Sequence, residues 1–139
     1  MITGMQLNID TEYVDSSCDM VLYSLSAETS RFKGYTEFYG DSKILQSFAE
    51  NILNFPFVSQ DPIELIVRSF DNEPVGMTIR ITLVGKRGEI ELKLSLCDEE
   101  GNTASFSDYP IETQSLHNLA HKILETDFST ITNSISWKS

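Results

Sequence analysis

Leu45-Gln46-Ser47-Phe48-Ala49-Glu50-Asn51-Ile52-Leu53 and Leu116-His117-Asn118-Leu119-Ala120-His121-Lys122-Ile123-Leu124 keep every apolar position in common, 71 residues apart. In each, the apolar residues fall at i, i+3, i+4, i+7 and i+8, the spacing of a helix buried along one stripe. Each is preceded by segments in which apolar residues alternate. A repeat about half the chain long, occurring twice, does not suit a solenoid, whose units are short and many; it suits a duplicated half-domain with a shared core.

Working outward from the first helix, Gly40-Asp41-Ser42 offers an N-cap and Pro56 a stop. Upstream, strands are expected over Met5–Val14, Met20–Leu25 and Phe32–Tyr39, the last with Lys33, Tyr35, Glu37 and Tyr39 on one face. Downstream, turn residues Ser59 to Pro62 lead to a strand at Ile63–Phe70 and a turn at Asp71-Asn72-Glu73-Pro74. Met77–Val84 and Glu89–Leu96 alternate cleanly around Gly85-Lys86-Arg87-Gly88 and read as an antiparallel hairpin. A short strand at Ala104–Asp108 precedes the second helix, with Thr113 as its N-cap and its end near Asp127. One-sided helices and alternating strands together predict an α+β fold. The expectation is a single antiparallel sheet of about six to seven strands with two helices on one face, built from two pseudo-repeated strand-strand-(strand)-helix halves. The other sheet face would hold Tyr35, Tyr39, Arg80, Glu89, Glu91 and Lys93. One domain, residues 1–139, is expected, with pseudo-repeats at about 5–57 and 62–128. The tail 129–139, carrying Ile131, Ile135 and Trp137, reads equally as an edge strand or as an arm on a neighbouring molecule.

The 139 residues hold 21 Asp and Glu against 10 Lys and Arg, a formal net charge of −11. That balance opposes nucleic-acid backbones and anionic lipid surfaces and favours a basic or neutral partner. The acids cluster in residues 1–30 and 98–128, where Lys122 is the one base. Neither a secretory leader nor an apolar run of membrane-spanning length is present, so a cytoplasmic location is expected. Cys18 and Cys97 fit reduced thiols, lying outside any Cys-x-x-Cys pair.

Catalytic and metal constellations fail on their chemistry. His117 and His121 are spaced to share a metal, but Asn118 stands where a helical metalloprotease site has its general-base Glu, so a solvated helix flank is expected. Gly85-Lys86-Arg87-Gly88 lacks the length and the following helix of a phosphate loop. Asp98-Glu99-Glu100-Gly101-Asn102 lies between strands rather than the helices that flank a calcium loop. Cys18 and Cys97 have acidic neighbours, Asp19 and Asp98, which oppose thiolate formation. No serine lies in a Gly-x-Ser-x-Gly turn. No catalytic residue, metal or cofactor is therefore assigned.

Gly34-Tyr35-Thr36-Glu37-Phe38-Tyr39-Gly40, the helix Leu45–Leu53 and Asn54-Phe55-Pro56 resemble a group of small bacterial proteins of unassigned function. In that group a strand of the form Gly-x-x-Glu-Phe-Tyr-Gly precedes a Leu-x-x-Phe-Ala helix closing with Phe-Pro. Some members look like immunity proteins that neutralise a toxin of interbacterial competition. The resemblance therefore implies an immunity-type inhibitor; it brings no site residue with it.

Charge and resemblance together lead to the expectation of a non-enzymatic binding protein that docks an acidic surface onto a basic toxin domain. Candidate contacts are Asp98, Glu99, Glu100 and Asp108, with Tyr35, Tyr39 and Trp137 as aromatic anchors. The alternatives are a self-associating structural or regulatory subunit, such as a homodimer, and a small-ligand carrier or enzyme using His117 or His121.

Overall fold

The computed structural model describes residues 4–68, 76–130 and 133–139. In chain order the elements are β1 (Gln6–Asp15), β2 (Met20–Glu28), β3 (Lys33–Gly40), α1 (Gln46–Asn54), β4 (Ile63–Arg68), β5 (Gly76–Val84), β6 (Glu89–Cys97), β7 (Thr103–Ile111), α2 (Thr113–Leu124) and β8 (Ser134–Lys138). The strands form two separate antiparallel sheets: sheet A, of order β3-β2-β1-β8, and sheet B, of order β4-β5-β6-β7. This corrects the expectation of one sheet of six to seven strands. A single eight-stranded sheet would be roughly 34 Å wide at about 4.8 Å per strand. Two helices side by side, each about 10 Å across, would cover roughly 20 Å of it. Both sheets present continuous apolar inner faces, so two sheets that partly cover one another bury what the helices cannot reach.

The sheets correspond strand for strand. β8, which follows α2, joins sheet A beside β1, pairing Trp137 with Leu7 and Ile135 with Ile9. In the same relation β4, which follows α1, joins sheet B beside β5, pairing Val67 with Met77 and Leu65 with Ile79. Of the two readings left open for the tail, the strand is the one found, and it belongs to its own chain's sheet. β5 and β6 pair from Gly76↔Cys97 to Val84↔Glu89 through a turn in which Gly85 and Gly88 take positive φ of 72° and 65°.

One contiguous core joins the inner faces of both sheets to Phe48, Ala49 and Ile52 of α1 and Leu116, Leu119, Ala120 and Ile123 of α2. The helices pack on each other, α1 beside β4 and α2 beside β8. The sheets meet where β3 lies against β4, β5 and β6. Gly34 makes that approach possible: a Cβ there would lie 2.9 Å from Phe106 Cε2, 3.1 Å from Ala104 Cβ and 3.2 Å from Leu96 Cδ1.

Helix ends also depart from expectation. α1 begins at Gln46, after Leu45 and without a side-chain cap; the Asp41 carboxylate instead accepts the Lys43 N–H at 2.8 Å in the preceding turn. Thr113 is the first residue of α2 rather than its cap, the cap position being Glu112, and the helix stops at Leu124. β7 runs on to Ile111, past the expected end at Asp108, and holds Pro110, which an edge strand tolerates. The expected turn at residues 71–74, and Phe70 at the end of the expected strand, lie outside the described residues.

Candidate functional site

The outer face of sheet A follows from alternation. In β3, Gly34, Thr36 and Phe38 turn inward, leaving Tyr35, Glu37 and Tyr39 exposed. Pairing then sets three cross-strand rows on the outside: Asn8–Ser26–Tyr35, Asp10–Ser24–Glu37 and Tyr13–Leu22–Tyr39. Strict alternation from Leu7 and Ile9 would send Tyr13 into the core. A bulge between Thr11 and Tyr13 shifts the register by one, so both Glu12 and Tyr13 reach the outer face. Tyr13 and Tyr35 are 53% and 54% exposed, an aromatic display that a solvated sheet face does not need.

Carboxylates on this face are held in place. The Ser24 hydroxyl donates to Glu12 at 2.8 Å and the Tyr35 phenol donates to Glu37 at 2.5 Å. Desolvation, reinforced by the Glu37 hydrogen bond and the Glu37 and Glu12 charges, pushes the Tyr35 phenol up to about 12. Tyr35 is thus a neutral donor through the physiological range.

The β6–β7 turn completes the site. Thr36 Oγ1 donates to the Cys97 carbonyl at 2.7 Å, fastening β3 to the end of β6. Beyond that bond Asp98, Glu99 and Glu100 face Tyr35 and Glu37 across an open hollow of about 310 Å³. Asp98 is an architect of the turn: its carboxylate accepts the N–H groups of Glu100 at 3.0 Å and Asn102 at 2.8 Å. Those bonds, that from Asn102 foremost, hold it below the usual carboxylate range. The Glu99 and Glu100 carboxylates are exposed and make no hydrogen bond or ion pair with another described residue.

Of the candidate contacts named from sequence, Tyr35, Asp98, Glu99 and Glu100 converge on this hollow, and Tyr39 stands on the same sheet face beside Leu22. Asp108 does not join them. It lies on β7 opposite Leu92 and accepts a hydrogen bond from the Ser139 hydroxyl. Trp137 is corrected outright: it is 2% exposed, and its indole N–H donates to the Ser115 carbonyl at 2.8 Å, so it anchors β8 to α2. The expected single outer face is also divided, with Tyr35 and Tyr39 on sheet A and Arg80, Glu89, Glu91 and Lys93 on sheet B. Glu37, Glu12 and Tyr13 are additions. The parity of β3 already puts Glu37 beside Tyr35, whereas nothing in the sequence pattern marks the bulge.

Of the groups weighed for catalysis, Cys97 adjoins the hollow through its carbonyl, while the two histidines and Cys18 do not line it. His117 shares a 2.8 Å hydrogen bond with the Phe55 carbonyl and packs edge-on to Phe57, tying the segment after α1 to α2. Desolvation, with help from Asp15, pushes the Cys18 thiol up, away from thiolate. Among the described residues no three of His, Cys, Asp and Glu are grouped to hold a metal ion, and no helix is long and apolar enough to cross a membrane.

No family model matches the chain, and neither the curated proteins nor the solved structures give a significant match.

Proposed function

We propose that this chain is a cytoplasmic, non-enzymatic binding protein, an immunity-type inhibitor whose sheet A face docks onto a basic toxin domain. The observation that carries the reading is the convergence of an exposed tyrosine with carboxylates that have no cationic partner among the described residues: Tyr35 and Glu37 from β3 against Glu99 and Glu100 from the β6–β7 turn. Tyrosine supplies contact area at small entropic cost and dominates interface energies. Acidic groups around it raise the rate of encounter with a basic surface and select against acidic ones. The toxin class rests on the Gly34–Pro56 resemblance, and the sign of the partner's charge on the net −11.

The test is capture of partners by the tagged protein from its own cells, at low and then moderate salt, beside a Glu37→Lys/Glu99→Lys/Glu100→Lys variant. One basic polypeptide held at low salt, released as salt rises and lost from the variant is the expected result. Retention of the same polypeptide by the variant would remove this face from the interface. Recovery of the bait alone would end the inhibitor reading.

A further inference from the structure

The outer face of sheet B mixes charges, with Arg80 and Lys93 standing among Glu64, Glu89 and Glu91. In register, Arg80 of β5 stands directly across from Lys93 of β6, two cations side by side in a chain that has 10 against 21 acids. Like charges in directly opposed positions destabilise a sheet. Neighbouring positions on the same face are hydroxyls: Thr78 pairs with Ser95, Ser95 with Ser105, and Lys93 with Ser107. Together with the Glu64 carboxylate, Leu94 and Phe106 these side chains line an open hollow of about 430 Å³, within the size range of small-ligand sites. None of the four hydroxyls makes a hydrogen bond to another described residue. Glu64 meets Arg80 at 3.2 Å as an exposed pair, and the half-buried Glu91 meets the exposed Lys93 at 3.7 Å. An exposed pair of the Glu64–Arg80 kind contributes little.

We propose that this hollow is a binding site for a small molecule bearing a phosphate group. A phosphate has enough oxygens to take the planar fork of Arg80, the ammonium of Lys93 and hydroxyl donors at once, which one carboxylate has not. Bound between Arg80 and Lys93, it converts their mutual repulsion into two attractions. The remaining hydroxyls then suit a polar, hydroxylated body. The site is on the other sheet from the proposed docking face and stands or falls independently of it.

The experiment is an amide NMR titration of the full chain with inorganic phosphate and with glycerol 3-phosphate, at fixed ionic strength set with sodium chloride. Saturable shifts confined to Thr78, Arg80, Lys93, Ser95, Ser105 and Ser107 are expected, with the ester binding at least as tightly as phosphate. Arg80→Gln/Lys93→Gln should weaken binding by about tenfold or more, the scale of losing charge-assisted hydrogen bonds. Lys86→Gln/Arg87→Gln, in the hairpin turn outside the hollow, should leave it within about twofold. Both variants change exposed positions, and their amide dispersion reports whether they fold. The proposal is overturned if shifts grow linearly without saturation, if sodium chloride alone reproduces them, or if the Arg80/Lys93 variant binds as the parent does. A second readout is thermal: glycerol 3-phosphate should raise the melting temperature of the parent and not that of the Arg80/Lys93 variant. An equal rise in both would also overturn it.

Discussion

Trp137→Phe measures how far the C-terminal strand belongs to the core. Trp137 is the sole tryptophan, 2% exposed, paired with Leu7 of β1 and hydrogen-bonded to the Ser115 carbonyl of α2. Phenylalanine keeps an aromatic ring but is smaller by roughly 40 Å³, a void that costs about 1 kcal/mol at ~24 cal/mol per Å³. The lost indole hydrogen bond adds about 1 kcal/mol. The sum, about 2 kcal/mol, is a large part of the roughly 5–15 kcal/mol that holds a domain of this kind. With a urea m-value of about 2 kcal/mol/M, the midpoint should fall by about 1 M with m unchanged. Far-UV circular dichroism is the assay, since the substitution removes the fluorophore. Lys138→Ala, one residue along and exposed, should stay within about 0.5 kcal/mol of the parent. In the unsubstituted protein Trp137 emission should be blue-shifted and resist acrylamide. A Trp137→Phe loss no larger than that of Lys138→Ala, or ready quenching, would show that β8 is not packed as described.

Gly34→Ala should cost about 1–3 kcal/mol in the same assay through overpacking against Phe106 and Ala104, and wild-type stability would refute the close approach of β3 to sheet B. Asp98 has a folded-state pKa below its usual 3.8, so its contribution to the β6–β7 turn is complete above that value and is lost as pH falls through the lowered one. Amide exchange at Glu100 and Asn102 should therefore become less protected in that acid range, and Asp98→Ala should show the same loss at neutral pH; unaltered protection in the variant would count against the role. Tyr35, raised from 10 to about 12, should titrate above the ordinary phenol range together with Tyr23 and Tyr109, which are also raised, and its own ring signals in an NMR titration distinguish it from them. The stability linked to it is present below pH 10 and lost as pH climbs toward 12, and Glu37→Gln should return the phenol toward 10; a Tyr35 that titrates normally in the parent would break the Glu37 pairing.

Local structure was legible in the sequence because its signals are periodic and short in range. The helix stripes at Leu45–Leu53 and Leu116–Leu124, the Gly85–Gly88 hairpin and the in-out parity of β3 all follow from side-chain direction along a regular backbone. The same parity showed Tyr35 and Glu37 together, and composition showed that the chain as a whole is negative. Sheet count was not legible, because alternation states that a strand has an apolar face without stating what covers it. That was decided by how much inner face two short helices leave uncovered. The β1 bulge, which turns Tyr13 outward, is a one-residue slip with no compositional mark. Trp137 shows the limit most plainly: among Ser, Thr and Lys it reads as an exposed anchor, yet pairing with β1 buries it. Convergence of Glu99 and Glu100 on Tyr35 likewise depends on Gly34 and on the Thr36–Cys97 bond, a contact between residues 61 apart in the chain. Sequence alone determined the elements, their faces and the sign of the charge, since each depends on near neighbours. Tertiary structure decided which faces meet, because the burial of apolar area is shared across the whole molecule and is settled only when every strand is in place.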